Sequence, residues 1–197
     1  MIKYFCTHYP VLTDRYNNLK PKFDTLGLDI EWVTIGDPDT LNIENTRFVN
    51  LAECSLYVKH LYCLHQQLIH NYPIITIFED DINLPVNYLS IQDRAIQEFT
   101  DLNGDILFQG QCCNIKPNYT NDSKIVYHEP HFLSRCTHCY SIKLETTKKI
   151  WNRMNTNYIT IDWKYNEIIQ EFKLKSCYLH PGLLQYTETG QYKSALR

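Results

Sequence analysis

The stretch Ile74-Ile75-Thr76-Ile77-Phe78-Glu79-Asp80-Asp81 decides how the rest of the chain is read. Pro73 blocks a helix from running into it, and Ile74 to Phe78 is apolar without alternation. Such a run marks a central strand covered on both faces, as in the parallel sheet of an α/β protein. Three carboxylates follow at once. In open α/β sheets ligands bind beyond the carboxyl ends of strands, so Glu79-Asp80-Asp81 stands where a site is expected. Adjacent carboxylates repel each other, and a hard divalent cation relieves that repulsion while drawing further ligands from water and phosphate. The plain alternative is a solvated acidic turn capping the next helix.

Outward from this strand, the pattern alternates. Upstream, Leu51 to His70 reads as a helix, with Leu51, Cys54, Val58, Leu61, Tyr62, His65, Leu68 and Ile69 at three- and four-residue steps as its buried face. Ile2 to Cys6 and Ile30 to Ile35 read as strands. Between them a helix starts near Thr13-Asp14 and stops at Gly27, with Pro21 expected to kink or split it. Downstream, a helix covers Ile91 to Thr100 and a strand Asp105 to Gln109. Cys112 to Arg135 reads as one long polar loop, a length that is often functional. A strand at His138 to Ile142, helices at Glu145 to Met154 and Asp162 to Phe172, a strand near Ser176 to Leu179 and an irregular tail complete the chain.

Composition fits this α/β reading. The 197 residues are 44% hydrophobic and 21% charged, which suits one packed domain spanning 1–197 and excludes a disordered or fibrous chain. A net charge of −3 lacks the basic field of a nucleic-acid binder. No apolar run approaches the ~20 residues that span a bilayer. Met1 to Phe5 turns polar at Thr7-His8, too soon for a signal-peptide core, so a cytoplasmic location is expected. In that compartment the eight cysteines are expected to be packing thiols. The abundance of Asn, Ile and Tyr points to an AT-rich genome, such as that of a large DNA virus.

Several short motifs occur in a telling order. Ile77-Phe78-Glu79-Asp80-Asp81-Ile82 with Leu84-Pro85 resembles the metal-binding signature of glycosyltransferase family 25, which includes lipopolysaccharide-type and collagen galactosyltransferases. Leu12 to Arg15 and Gly27 to Val33 resemble that family's opening strand, arginine and second strand. Ala52-Glu53-Cys54-Ser55-Leu56-Tyr57-Val58-Lys59-His60 resembles its Gly-Glu-x-x-Cys-x-x-Ser-His helix, with Ala52 for glycine and Lys59 for serine. Thr137-His138-Cys139-Tyr140, Ile161-Asp162-Trp163 and Ser194-Ala195-Leu196-Arg197 resemble its Thr-His-Ala-Tyr, Val-Asp and Ser-Ser-x-Arg. Asp105 to Arg135 does not match well.

The resemblance implies a single GT-A domain, a Rossmann-like, mostly parallel sheet flanked by helices. It also implies a metal-dependent inverting hexosyltransferase using Mn²⁺ or Mg²⁺. The donor would be a nucleotide-diphosphate sugar, UDP-galactose or UDP-glucose, and the acceptor a glycan or glycoprotein. Asp81 is then the first choice for the metal, with Asp80 facing it or the ribose and Glu79 supporting through hydrogen bonds. Asp162 is the candidate base, although an aspartate at a helix start also serves as a cap. Trp163 suits a sugar face or a buried anchor. His180 is a second-tier metal ligand or a surface histidine. Lys193, Ser194 and Arg197 suit a diphosphate, against an ordinary disordered tail. Thr7 lies where the base would sit, and Arg15 meets a phosphate or is a helix-surface charge.

A rival reading takes His128, His131, Cys136 and Cys139 as a zinc set in a non-catalytic interaction module, although their spacing is not that of a zinc finger. A sugar-binding module without catalysis is another alternative. His60, His65 and His70 recur every five residues, turning each ring about 140° from the last, so they do not converge on one ion.

Overall fold

A computed structural model describes residues 2–41, 50–110, 123–128, 136–156 and 159–186. The apolar run forms strand β3 (Ile74–Glu79) in a sheet that has eight strands among the described residues. Beside it lie β1 (Ile2–Thr7) and β2 (Ile30–Val33), both parallel to one another, with β1 also parallel to β3. The other strands are β4 (Ile82–Asn83), β5 (Ile106–Gly110), β6 (Val126–His128), β7 (Cys139–Lys143) and β8 (Ser176–Gln185). Sheet order is β2-β1-β3-β7-β5-β8-β4, with β6 on β8. The sheet is mostly parallel in that β1, β2, β3, β5 and β8 run one way; β7 runs antiparallel between β3 and β5, and β4 and β6 run antiparallel to β8.

Among the described residues, five α-helices cover the two faces: α1 (Thr13–Thr25), α2 (Leu51–His70), α3 (Tyr88–Asp101), α4 (Leu144–Met154) and α5 (Ile161–Phe172). Alternation along β3 divides the core. Ile75 and Ile77 pack with Tyr57 and Leu64 of α2, Ile150 of α4 and Tyr165 of α5. Phe78 faces the other way, with Leu19 and Phe23 of α1 and Tyr88 and Phe99 of α3. Both faces of β3 are therefore buried, which is why its sequence lacks polar alternation. Its buried hydroxyl, on Thr76, is bonded to Ser141 at 2.7 Å and accepts from Gln92 at 3.1 Å.

The ends of the helices follow local chemistry. Gly27 sits at φ +66° just past α1. There Leu28 N–H donates to Phe23 O and Gly27 N–H to Asp24 O, both at 3.0 Å, as in a Schellman turn. Gly27→Ala is expected to cost about 1 kcal/mol through left-handed backbone strain alone, because nothing lies within 4 Å of an added Cβ. A urea midpoint equal to that of the parent chain would contradict this. At the start of α2, the Asn50 side chain accepts from Glu53 N–H at 2.9 Å.

Four expectations change. Pro21 lies inside an uninterrupted α1. The polar loop contains β6, three residues held because Val126 pairs with Leu179 on β8. The buried face of α2 is rotated from the apolar count: Lys59, His60 and Gln67 are buried, while Leu51 and Ile69 are exposed. Tertiary partners explain the rotation, since Gln67 donates to Tyr72 O and Ile142 O and accepts from Thr147. Finally, Cys136 is in a disulfide, whereas Cys6, Cys54, Cys63, Cys139 and Cys177 are free. Compartment and chain length, on which the thiol expectation rested, do not determine which cysteines a fold brings together. Among the described residues no helix is long and apolar enough to cross a membrane.

Candidate active site

Strand direction sets the site. β1 and β3 both end beside the acidic turn, and α1 begins just after β1. α2 runs back toward the start of β3, so its N-terminus lies at the same end of the sheet. α5 returns to the start of β8, which places its N-terminus there too. Three helices thus direct their positive ends toward the carboxyl edge of the parallel strands, a setting that favours anions.

At this edge Thr7, His8, Tyr9, Arg15, Ser55, Lys59, Glu79, Asp80, Asp81 and Gln185 line one cavity of ≈ 160 Å³. The carboxylates have distinct partners. Asp80 Oδ1 accepts from Arg15 Nη1 at 2.7 Å, and Asp80 Oδ2 lies 2.8 Å from His8 Nδ1. Asp81 Oδ2 is 3.8 Å from the same Arg15 nitrogen, and Gln185 donates to Asp81 Oδ1 at 3.3 Å. The backbone joins in: Tyr186 N–H donates to Asp81 O at 2.7 Å. Glu79 accepts from the Thr137 hydroxyl at 2.8 Å, with His60 Nε2 at 3.6 Å. Thr7 donates to Phe78 O at 3.4 Å, tying the ends of β1 and β3.

These surroundings split the carboxyls electrostatically. Burial, then the charges of Glu79 and Asp80, push Asp81 up to about 7 despite Arg15. Burial also acts to raise Glu79, but His60, His138 and the Thr137 hydroxyl outweigh it and hold Glu79 below its ordinary value. Asp162, in the first turn of α5, is raised, chiefly by burial and also by the Glu79 charge. Its Oδ1 accepts from Trp163 N–H at 2.8 Å.

The sequence candidates therefore fall into separate places. Thr7, Arg15, Glu79, Asp80 and Asp81 share the cavity. Arg15, expected at a phosphate, instead grips Asp80. Asp162 lies at the same end of the sheet but is not a lining residue, and Trp163 beside it is 53% exposed. His180 lines a different recess, with Asn87, Arg94, Ile125 and Pro181. Lys193, Ser194 and Arg197 lie outside the described residues. Sequence reading missed His8, Lys59 and Gln185, although a lysine inside a buried helix was a visible signal. Among the described residues no three His, Cys, Asp or Glu side chains are grouped to hold a metal by themselves. The zinc set of His128, His131, Cys136 and Cys139 loses its two thiolates, because Cys136 is in a disulfide and Cys139 is buried in the core, and His131 lies outside the described residues.

No family model and no curated protein matches the chain. Among solved structures it is similar to a glycosyltransferase involved in the glycosylation of the major capsid of PBCV-1. The TM-score is 0.51 at 13% identity, over 90% of this chain and 80% of that one. At such identity the likeness establishes the fold, the Rossmann-like α/β sheet found in glycosyltransferases. It does not establish membership of family 25.

Proposed function

We propose that this chain is a glycosyltransferase that moves a hexose from a nucleotide-diphosphate sugar to a hydroxyl of a glycan or glycoprotein, with inversion. In keeping with the motif resemblance, the donor is UDP-galactose or UDP-glucose. The observation that carries the reading is the carboxylate-lined cavity at the end of β3, in a sheet shaped like that of a glycosyltransferase.

Asp81 fits as the protein ligand of Mn²⁺ or Mg²⁺. Its carboxyl is an oxygen donor, and hard cations of this kind complete their shell with water and substrate phosphates rather than with an all-protein cage. When bound, the cation neutralises charge that grows on the departing nucleoside diphosphate. Asp80, fixed by Arg15 and His8, has further lone pairs for ribose hydroxyls. Asp162 takes the proton of the acceptor hydroxyl as its oxygen attacks the anomeric carbon and the bond to the diphosphate breaks. Its raised pKa strengthens it as a base. Trp163 offers its exposed ring to the acceptor sugar.

Calorimetric titration with UDP-, GDP- and dTDP-sugars, with and without Mn²⁺, tests the proposal. Binding of a UDP-hexose, strengthened by Mn²⁺, is expected. Absence of binding across the whole panel would overturn it.

A further inference from the structure

The cavity contains a cation that the carboxylate cluster does not use. Lys59 lines it from the middle of α2 and is only 3% exposed. Its Nζ donates to Asp37 Oδ1 at 2.5 Å and to Ser55 Oγ at 3.0 Å. An ammonium carries three N–H donors. Two are engaged, and among the described residues the third has no partner. The other basic side chains of the cavity, His8 and Arg15, are committed to Asp80. Lys59 differs: its ion-pair partner, Asp37, comes from the segment after β2 and is not itself a lining residue.

A buried ammonium needs acceptors in place of the water it has lost, and here one carboxylate and one hydroxyl supply two of them. An anion entering the cavity would meet an ammonium already desolvated, aimed by two hydrogen bonds and short of one acceptor. Little side-chain entropy would be lost on contact, because the ordering is already in place.

We propose that Lys59 is a donor-binding residue that hydrogen-bonds a phosphate oxygen of the nucleoside diphosphate through its third N–H, while Asp37 and Ser55 keep hold of the other two. This rests on the glycosyltransferase reading of the same cavity. The contact makes part of donor affinity independent of any metal. It also makes the site selective for phosphorylated over unphosphorylated nucleosides.

The test is calorimetry with UDP, and with uridine as the uncharged probe, in metal-free buffer and with Mn²⁺. Lys59→Met and the milder Lys59→Gln are expected to weaken UDP binding tenfold or more in both buffers, the scale of a lost hydrogen bond to a charged group. Uridine affinity is expected to stay unchanged. Asp37→Asn removes the ion pair but keeps a carbonyl oxygen that can accept from Nζ, so any loss of UDP affinity is expected to be smaller than in the Lys59 variants. Equal losses in Asp37→Asn and the Lys59 variants would make Lys59 only an anchor for the Asp37 segment and overturn the inference. Parent-like UDP binding by Lys59→Gln would do the same, with the glycosyltransferase reading intact. Failure of the parent chain to bind any nucleoside diphosphate would remove both.

Discussion

Asp81→Asn is expected to abolish cation-dependent binding of the nucleotide-sugar and, at the same time, to make the protein more stable at neutral pH. Burial beside Glu79 and Asp80 pushes Asp81 up to about 7 from an ordinary 3.8. Between those two values the folded chain holds a proton that the unfolded chain has released. Stability from this group is therefore complete below about pH 4 and is lost as the pH rises through 7. Asparagine resembles the protonated carboxyl and has nothing to lose. Its advantage over the parent should be near zero at pH 4 and greatest above pH 7, with an upper bound of about 4 kcal/mol, or roughly 8–16 °C in Tm. Scanning calorimetry at pH 5 and pH 8 checks the sign. An equal Tm shift at both values would remove the electrostatic explanation, and retained Mn²⁺-dependent donor binding would remove the metal assignment.

Asp162→Asn should separate chemistry from binding. The amide keeps the size of the side chain and its carbonyl can still accept from Trp163 N–H, so the first turn of α5 is expected to keep this contact. What it cannot do is take a proton. A fall in kcat of roughly 10²–10⁴ is expected with donor affinity unchanged, the usual range for a lost general base. Because Asp162 is raised by burial, the parent's kcat should decline with acid at a pH above that of an ordinary aspartate. A variant retaining most of its kcat would return Asp162 to the role of a first-turn helix residue.

The sequence made some of this legible for definite reasons. β3 could be read because both of its faces are covered, and the acidic turn because a strand of that kind ends at the ligand edge. Gly27 ended α1 where its positive φ was needed. The direction of β7 could not be read, since the side-chain pattern of a five-residue strand looks the same along either direction. β6 was missed because its stability resides in β8. Partners across the site were hidden for a similar reason. Arg15 is 65 residues from Asp80, and nothing local distinguishes a guanidinium waiting for a phosphate from one holding a carboxylate. His180 lies within β8, which continues to Gln185 and carries the chain past the point where a ligand at a strand end was expected.

Antiparallel β7 divides the sheet into two parallel blocks, β2-β1-β3 from the first part of the chain and β5-β8 from the last. The cavity draws on both, taking Asp80 and Asp81 from one block and Gln185 from the other. Tyr186 N–H, bonded to Asp81 O, closes the loop between them. The pocket is therefore a clasp across a seam: neither block contains it alone, and a molecule seated there would fasten the early and late halves of the polypeptide to each other.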